Sequence, residues 1–229
     1  MPMADDLAKR YDSDYQDYEI ENAEKYLELM LLGLHDLGFS TWEKNFSRDR
    51  TFLDIGCATG TLVEYMKKRA WNSFGLEICK ESAEYGRLHR GVEIFNCTLD
   101  EVPLPRTGID FIHSSHVIEH VPDPLHYVES IYQLLKPEGY CVTITPNITS
   151  LQATLFGKEW RSAIADHVNL FSIDKLIALH KNVGLQPVKW VTWGGLAAAS
   201  APGWLKKPVD RLIKKTAWGD VVALLTKKI

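Results

Sequence analysis

The stretch that decides the fold is FLDIGCATG, which occupies residues 52–60. An apolar run ends at Asp54, and the chain then turns through Gly56 and Gly60 into an amphipathic segment. Glycine allows the backbone to adopt a positive φ angle and to approach a ligand closely. In an open α/β sheet, ligands bind outside the carboxyl ends of the strands. The stretch therefore predicts a strand, a ligand-lining turn and a helix, although a plain strand–helix turn has a similar pattern.

A second feature narrows the class of ligand. Seventeen residues after Gly60, the next apolar run ends in Glu77. An acid at the tip of the second strand is the expected partner of a ribose diol. The turn has the pattern G-x-x-x-G, whereas the dinucleotide pattern G-x-G-x-x-G is absent. The two features together favour an adenosine-containing ligand and argue against a bound pyrophosphate.

From Thr51 onward, short apolar runs alternate with amphipathic segments. Alternation at this spacing is typical of parallel strands joined by right-handed crossovers. We therefore predict an α/β fold with a doubly wound, mostly parallel, seven-stranded Rossmann-like sheet and an N-terminal helical extension. The predicted strands are Thr51–Ile55, Ser73–Ile78, Val92–Asn96, Asp110–Ser115, Tyr140–Thr145, Leu185–Val191 and Val221–Thr226, and the predicted helices are Glu21–Leu37, Thr61–Arg69, Lys80–His89, Pro124–Leu135 and Ser172–Asn182.

Composition and charge indicate an ordinary globular chain with an acidic N-terminal segment and a basic segment near its C-terminus. The 229 residues are 45% hydrophobic and 24% charged, which excludes a disordered or collagen-like protein. The first thirty residues are acidic and the segment 204–216 is basic, within a net charge of −4. We expect residues 1–45 to form a helical segment and candidate lid, which would include Tyr11, Tyr15 and Tyr18. Residues 46–229 would form one domain, with a basic helical insertion at 194–218 before the last strand.

The sequence also bears on compartment and partners. Its four cysteines form no C-x-x-C pair, and no apolar run is long enough to cross a bilayer. The acidic N-terminus lacks a secretory signal, so we expect a cytoplasmic protein without a transmembrane segment. The basic segment 204–216 is a candidate for peripheral contact with an anionic membrane. The acidic net charge argues against nucleic acid as a partner.

The chain resembles the seven-stranded class I S-adenosylmethionine (SAM)-dependent methyltransferases of the methyltransferase domain 23 / 11 type. The resemblance runs from about residue 51 to residue 191 and implies methyl transfer to a small-molecule or glycan acceptor, at oxygen. A SAM-binding module without catalysis and a metal-assisted RNA 2′-O-methyltransferase are the alternatives. Five sequence blocks carry the resemblance: LDIGCATG at 53–60, GLE at 75–77, IDFIHSSHVIEHVPDP at 109–124, LLKPEGYCVTITPN at 134–147 and, more loosely, HVNLFSIDKLIALHKNVGL at 167–185.

The resemblance also implies which residues bind the cofactor. It places the methionine part of SAM against the 54–60 turn, where this chain has Ala58 in place of the family's middle glycine. The ribose would lie on Glu77, the adenine against Ile78 and the turn at 98–99, and the transferring methyl group near the end of the fourth strand. The predicted cofactor-binding residues are Asp54, Gly56, Cys57, Ala58, Gly60, Glu77, Ile78, Thr98, Leu99 and Ser115.

A histidine-rich string, HVIEH at residues 116–120, is the candidate catalytic segment. On one helical turn His116, Glu119 and His120 share a face, as residues three and four apart do. The string is also the inverted zinc-protease pattern H-x-x-E-H, but Pro122 and Pro124 follow too soon for the long helix that such a protease needs.

Some methyltransferases of ubiquinone synthesis and of small-RNA 2′-O-methylation look similar at this string. They hold a divalent ion through Glu-x-x-Glu-His and a downstream histidine, which His116, Glu119, His120 and His167 match with one Glu-to-His departure. Three imidazoles and one carboxylate favour zinc, iron or manganese. His116 and His167 are also candidates for a catalytic base, and a structural role for the string is the third interpretation. The stretch with Phe156, Trp160 and Arg161 is a candidate acceptor roof.

Overall fold

The computed structural model describes residues 13–194 and 216–229. Strands alternate with helices along the described chain, which confirms the predicted fold class. The strands are β1 (Thr51–Ile55), β2 (Asn72–Leu76), β3 (Glu93–Phe95), β4 (Ile109–Ser115), β5 (Leu135–Pro146), β6 (Leu185–Trp193) and β7 (Val221–Lys228), and the helices are α1 (Ser13–Leu37), α2 (Phe39–Trp42), α3 (Thr61–Lys68), α4 (Lys80–Tyr85), α5 (Pro124–Leu134), α6 (Leu151–Phe156) and α7 (Ile173–Val183).

The seven strands form one sheet in the order β3-β2-β1-β4-β5-β7-β6. β1 pairs in parallel with β2, and β2 pairs in parallel with β3. β7 runs antiparallel to both β5 and β6. The order reverses beside β1, and this reversal is the point at which doubly wound sheets bind ligands.

Two compact units divide the chain. The first contains the residues up to His113 together with Leu134–Lys136, and the second contains Ser114–Gln133 and the residues from Pro137 onward. The predicted boundary at residue 45 and the lid function of the N-terminal segment remain predictions.

In the first unit, aromatic rings pack around a buried acid. Phe39, Trp42, Trp71 and Phe111 contact one another with ring centroids 4.8 to 6.3 Å apart. The carboxylate of Glu43 accepts a hydrogen bond from Trp71 Nε1 at 2.9 Å and pairs with a nearby arginine. Burial raises the pKa of Glu43, but these bonds outweigh it and the pKa lies below its ordinary value. The cluster thus ties α2 to β4 and to Trp71, directly before β2.

In the second unit, a buried histidine joins α7 to the sheet. His180 Nδ1 donates to the carbonyl of Leu176 at 2.9 Å, so its Nε2 accepts from Thr143 Oγ1 at 3.0 Å. Burial lowers the pKa of His180 to about 4, and the imidazole is therefore neutral near pH 7. This histidine is a structural residue of the core.

The segments flanking the sheet differ from expectation in two places. α1 begins at Ser13, eight residues before the predicted start of the helix. The stretch 146–170, where no helix was predicted, contains α6, which Ser150 caps by accepting a hydrogen bond from the Ala153 amide at 3.0 Å. The predicted basic helix at 204–216, Tyr11 and the side chains of Tyr15 and Tyr18 lie outside the described residues. Within the described part of the chain, no helix is long and apolar enough to cross a membrane.

Candidate functional site

The turn after β1 has the strained backbone that the sequence predicts. Gly56 and Gly60 have φ angles of 71° and 76°, and Ala58 between them has a φ of 47°. The amides of Gly56 and Cys57 donate to the carbonyl of Leu76 at 2.8 and 3.1 Å, which fastens the turn to the end of β2. Gly56 is exposed, so its backbone is open to a ligand.

Close packing under this turn leaves no room for side chains at two glycines. A Cβ atom on Gly75 would lie 2.4 Å from Cys57 Sγ, and one on Gly60 would lie 2.9 Å from the side chains of Val92 and Ile94. Burial raises the pKa of the Cys57 thiol well above its usual value. The side chain of Cys57 therefore packs beneath the turn, and the contact of this residue with the cofactor stays a prediction.

Glu77 lies directly beyond β2 and is almost completely buried, with 4% of its surface exposed. Its Oε2 accepts from the Ala58 amide at 2.9 Å and its Oε1 from the Cys79 amide at 2.8 Å. Burial raises the pKa of Glu77, although the bonds from these amides act in the opposite direction. The two carboxylate oxygens together have about four lone-pair sites, so capacity remains to accept from a hydroxyl group. The group is thus held in place by backbone and retains acceptor capacity.

Two further residues join this site that the sequence did not single out. His113 Nδ1 hydrogen-bonds Asp54 Oδ1 at 2.7 Å, and both side chains are buried. His113 Nε2 is buried without a hydrogen-bond partner among the described residues. On α1, Glu19 has a pKa raised to about 7, first by burial and then by the charge of Glu77. The sequence signal that could have indicated His113 was its position in β4, two residues before the predicted site residue Ser115.

The residues predicted to contact the adenine differ in whether their side chains are available to a ligand. Ile78 is 46% exposed, and Asn96 Nδ2 fixes the adjoining backbone by donating to the carbonyls of Glu77 and Ile78. Thr98 Oγ1 donates to Glu101 Oε2 at 2.8 Å in the cap of its own short turn. Leu99, in that turn, is half-buried. The side chain of Ile78 is therefore free to stack on a ligand, whereas that of Thr98 is occupied.

In the second unit, the histidine string follows β4 and begins in a left-handed conformation. His116 has a φ of 55°, and its Nδ1 lies 2.9 Å from Glu119 Oε1. The other carboxylate oxygen of Glu119 accepts from Thr145 Oγ1 at 2.9 Å. Burial raises the pKa of Glu119, but the bonds from His116 and Thr145 lower it by more. The pKa of Glu119 therefore lies below its ordinary value. Ser115, half-buried, ends the strand just before this string.

Three of the four predicted metal ligands converge. One ligand atom from each of Glu119, His120 and His167 lies within 4.8 Å of the others. His116 is outside this group and is half exposed. His120 Nδ1 bonds the carbonyl of Asp166 at 2.9 Å, and His167 Nδ1 bonds that of Ser162 at 2.8 Å.

Because a carbonyl oxygen only accepts, both of those Nδ1 atoms carry the proton, and each Nε2 keeps a lone pair. Metal-binding histidines characteristically donate their other ring N–H to a carbonyl or carboxylate. Burial lowers the pKa of His167, which keeps the ring neutral near pH 7. The donor set of Glu119, His120 and His167 therefore fits a divalent cation, or a site where one imidazole accepts a proton.

The predicted acceptor roof separates into a buried and an exposed part. Trp160 is buried, with 3% of its surface exposed, and its Nε1 donates to Asp220 Oδ1 at 2.5 Å. Arg161 Nε donates to Asp220 Oδ2 at 2.6 Å, while the arginine side chain stays 66% exposed. Phe156 is 55% exposed. Trp160 thus anchors the loop, and Arg161 and Phe156 are open to solvent.

A family model described as a methyltransferase domain matches residues 23–189. A ubiquinone biosynthesis O-methyltransferase of Cereibacter sphaeroides (strain ATCC 17025) is 30% identical over 148 residues, or 59% of this chain and 60% of that protein. One of Ruegeria pomeroyi is 31% identical over 175 residues, or 71% of this chain and 70% of that protein. The chain thus spans about 60% of the length of the first of these relatives.

Solved structures share the fold at low sequence identity. A SAM-dependent methyltransferase from Thermotoga maritima has a TM-score of 0.65 at 20% identity, covering 94% of this chain and 98% of that one. A geranyl diphosphate C-methyltransferase from Streptomyces coelicolor, solved with S-adenosyl-L-homocysteine, has a TM-score of 0.59 at 17% identity, covering 95% and 86%. Since the family model covers more than half of the sequence, the chain belongs to the methyltransferase domain family.

Proposed function

We propose that the protein transfers the methyl group of SAM to a hydroxyl oxygen of a small molecule. The observation that carries the proposal is the buried carboxylate of Glu77, which two backbone amides hold at the end of β2 beside an exposed glycine turn. The ribose hydroxyls of SAM would donate to that carboxylate, and the family membership supports the choice of cofactor. The curated relatives, which are named as O-methyltransferases, support oxygen as the acceptor atom.

The reaction asks little chemical assistance from the protein. SAM supplies a sulfonium methyl group that is already activated, so the transfer is an in-line displacement accelerated mainly by positioning. The turn at 56–60 admits the cofactor close to the backbone, and Glu77 fixes its ribose. Ile78 offers an exposed apolar face to the adenine.

An oxygen acceptor also needs to lose its proton. His167 is suited to this because its lowered pKa keeps the ring neutral and its Nε2 keeps a lone pair. A neutral imidazole can accept the hydroxyl proton as the carbon–oxygen bond forms. His116, half exposed and bonded to Glu119, is the second candidate for this role.

As the alternative to a base role for His167, whose Nε2 lone pair can serve only one of the two, we propose that Glu119, His120 and His167 hold a divalent cation, with zinc, iron or manganese favoured by two imidazoles and one carboxylate. A cation there would supply Lewis acidity that lowers the pKa of an acceptor hydroxyl. Elemental analysis of protein purified without chelators should find bound metal in the wild type. The same analysis should find none in His120→Ala, whereas His35→Ala, at a histidine that is 80% exposed, should retain it. Metal-free protein with full activity would refute the metal.

Acceptor class and compartment complete the proposal. The acceptor is a small phenol or a sugar hydroxyl, and four cysteines without a disulfide favour the reducing cytoplasm. Methyl-labelled SAM is incubated with the protein and, in separate reactions, with catechol, with methyl glucoside and with amines. Catechol or methyl glucoside should give a labelled O-methyl product. Labelling of the amine nitrogen alone would refute the oxygen assignment. Binding of SAM without any transfer across a wider hydroxyl panel would favour the non-catalytic alternative.

A further inference from the structure

Asp220 is a fully buried acid directly before β7. Its Oδ1 accepts hydrogen bonds from Trp160 Nε1 at 2.5 Å and from Ser150 Oγ at 3.3 Å. Its Oδ2 accepts from Arg161 Nε at 2.6 Å. A buried charge is tolerated only when it is paired and hydrogen-bonded, and Asp220 meets both conditions through residues 150–161. Asp220 therefore fixes the position of Arg161.

Arg161 is paired with Asp220, but that pair engages only one of its hydrogen-bond donors. Its guanidinium carries five N–H donors, and Asp220 accepts from Nε alone. Among residues 13–194 and 216–229, no group accepts from the terminal Nη atoms, and the side chain is 66% exposed. An arginine that serves only as a tether commonly engages its carboxylate through two parallel bonds. Here the donors of the terminal Nη atoms remain available to a ligand.

The support beneath Arg161 is rigid. The indole of Trp160 is buried, and Asn147 Nδ2 donates to the carbonyls of Ala217 and Gly219 at 2.7 and 2.8 Å. The Asn147 amide donates to the Asp220 carbonyl at 2.9 Å, which joins the end of β5 to the start of β7. A preorganised donor loses little side-chain entropy on binding a ligand. The segment also follows the carboxyl end of β5, the edge at which α/β sheets bind ligands.

We propose that Arg161, held by Asp220, recognises an anionic group of the methyl acceptor, a carboxylate or a phosphate. This inference rests on the proposed methyltransferase function and names the substrate class for it. The planar fork of a guanidinium matches the two oxygens of such a group, which a lysine ammonium does not. Arg161 is a specificity residue in this account: it binds the acceptor away from the hydroxyl that receives the methyl group.

The test follows the arginine side-chain resonances of ¹⁵N-labelled full-length protein during titration with benzoate, phenyl phosphate and neutral benzamide. Benzoate or phenyl phosphate should shift the Arg161 signal saturably, with a dissociation constant on the order of millimolar. The tighter of the two anions identifies the class, and benzamide should cause no saturable shift. Arg161→Gln should bind the anion at least about tenfold more weakly, because charge-assisted hydrogen bonds are lost. Arg106→Gln, at an exposed arginine, is the matched control and should bind as the wild type does.

Two results would overturn the proposal. One is equal binding of benzamide and the anions, or no saturable shift by either anion. The other is undiminished anion binding in Arg161→Gln. Arg161→Lys keeps the charge but loses the fork, and it should bind several-fold more weakly; binding equal to wild type would refute the role of the fork. Calorimetry with S-adenosylhomocysteine on the same proteins separates this inference from the proposed function. Arg161→Gln should bind S-adenosylhomocysteine with the wild-type affinity. Failure of the wild type to bind it would contradict the proposed cofactor.

Discussion

Ala58, in the turn at 56–60, occupies the position where the family resemblance predicts glycine. It has a φ of 47°, and its amide donates to Glu77. An L-residue in the left-handed region costs roughly 1–2 kcal/mol, whereas glycine avoids this cost but loses more entropy on folding.

Ala58→Gly should therefore raise the free energy of unfolding by about 0.5–1 kcal/mol, measured by urea denaturation. The affinity for S-adenosylhomocysteine should stay within about twofold, because the amide that bonds Glu77 is kept. A less stable variant would show that the methyl group of Ala58 contributes packing that outweighs the strain.

Glu19 provides a pH-dependent test at the same scale. Its pKa is raised from 4.5 to about 7, first by burial and then by the charge of Glu77. A carboxyl whose pKa is raised in the folded protein stabilises the fold fully below its unfolded pKa, and that contribution is lost as the pH rises toward the folded pKa. The window is therefore about pH 4.5 to 7.

Glu19→Gln removes this titration. The free energy of unfolding of the variant should increase relative to that of wild type as the pH rises from about 4.5 to 7, as measured by urea denaturation at each pH. Glu24→Gln, an exposed acid on the same helix, should show no such trend. A difference between Glu19→Gln and wild type that does not change with pH would contradict the burial of Glu19 against Glu77.

At the scale of elements, β2 packs so closely against the turn at 56–60 that no room is left for a side chain at Gly75. A Cβ on Gly75 would lie 2.4 Å from Cys57 Sγ and 3.0 Å from Ile94 Cγ1. Overpacking of this kind costs about 1–3 kcal/mol. Gly75→Ala should lower the free energy of unfolding by that amount, and it should weaken cofactor binding by displacing the turn.

A double variant checks the cause. Cys57→Ala removes the sulfur atom, so Cys57→Ala/Gly75→Ala should be more stable than the sum of the two single changes by about 1 kcal/mol. Strict additivity in thermal or urea unfolding would mean that the strain of Gly75→Ala arises elsewhere, for example at Ile94.

The elements were largely predictable because apolar periodicity and glycine turns are local signals. β1 has its predicted bounds, Thr51–Ile55, and β4 and β7 differ from prediction only at their ends. The bonds of Asp220 with Trp160 and Arg161 were not predictable, since they join residues about 60 positions apart. The pairing of His113 with Asp54 likewise spans 59 positions and has no local pattern.

At the scale of the whole molecule, the geometry of the glycine turn was more predictable from the sequence than that of the histidine cluster. The predicted cofactor residues 54–77 lie in one local turn and at the end of one strand. The histidine site depends instead on whether Glu119, His120 and His167 converge from separate segments, and the structure brings together those three while His116 bonds Glu119. The net charge of −4 said little about either site.

Ligand binding should stabilise the molecule as a whole. S-adenosylhomocysteine at a hundred times its dissociation constant should add about 2.7 kcal/mol to the free energy of unfolding. For a chain of this size that corresponds to a rise in Tm of roughly 5–10 °C. NAD at the same concentration should leave Tm unchanged, because the turn lacks the dinucleotide pattern. A shift with NAD and none with S-adenosylhomocysteine would overturn the cofactor assignment.

The most direct test of the central claim is calorimetry of S-adenosylhomocysteine binding to wild type, Glu77→Ala and Glu84→Ala. Glu84 is a half-exposed acid on α4 and serves as the matched control, and thermal unfolding verifies that each variant is folded. Wild type and Glu84→Ala should bind with equal, micromolar affinity. Glu77→Ala should lose about 1.5–3 kcal/mol, a roughly 10- to 150-fold weakening, because the ribose loses its charged acceptor. A folded Glu77→Ala variant with unchanged affinity would contradict the account.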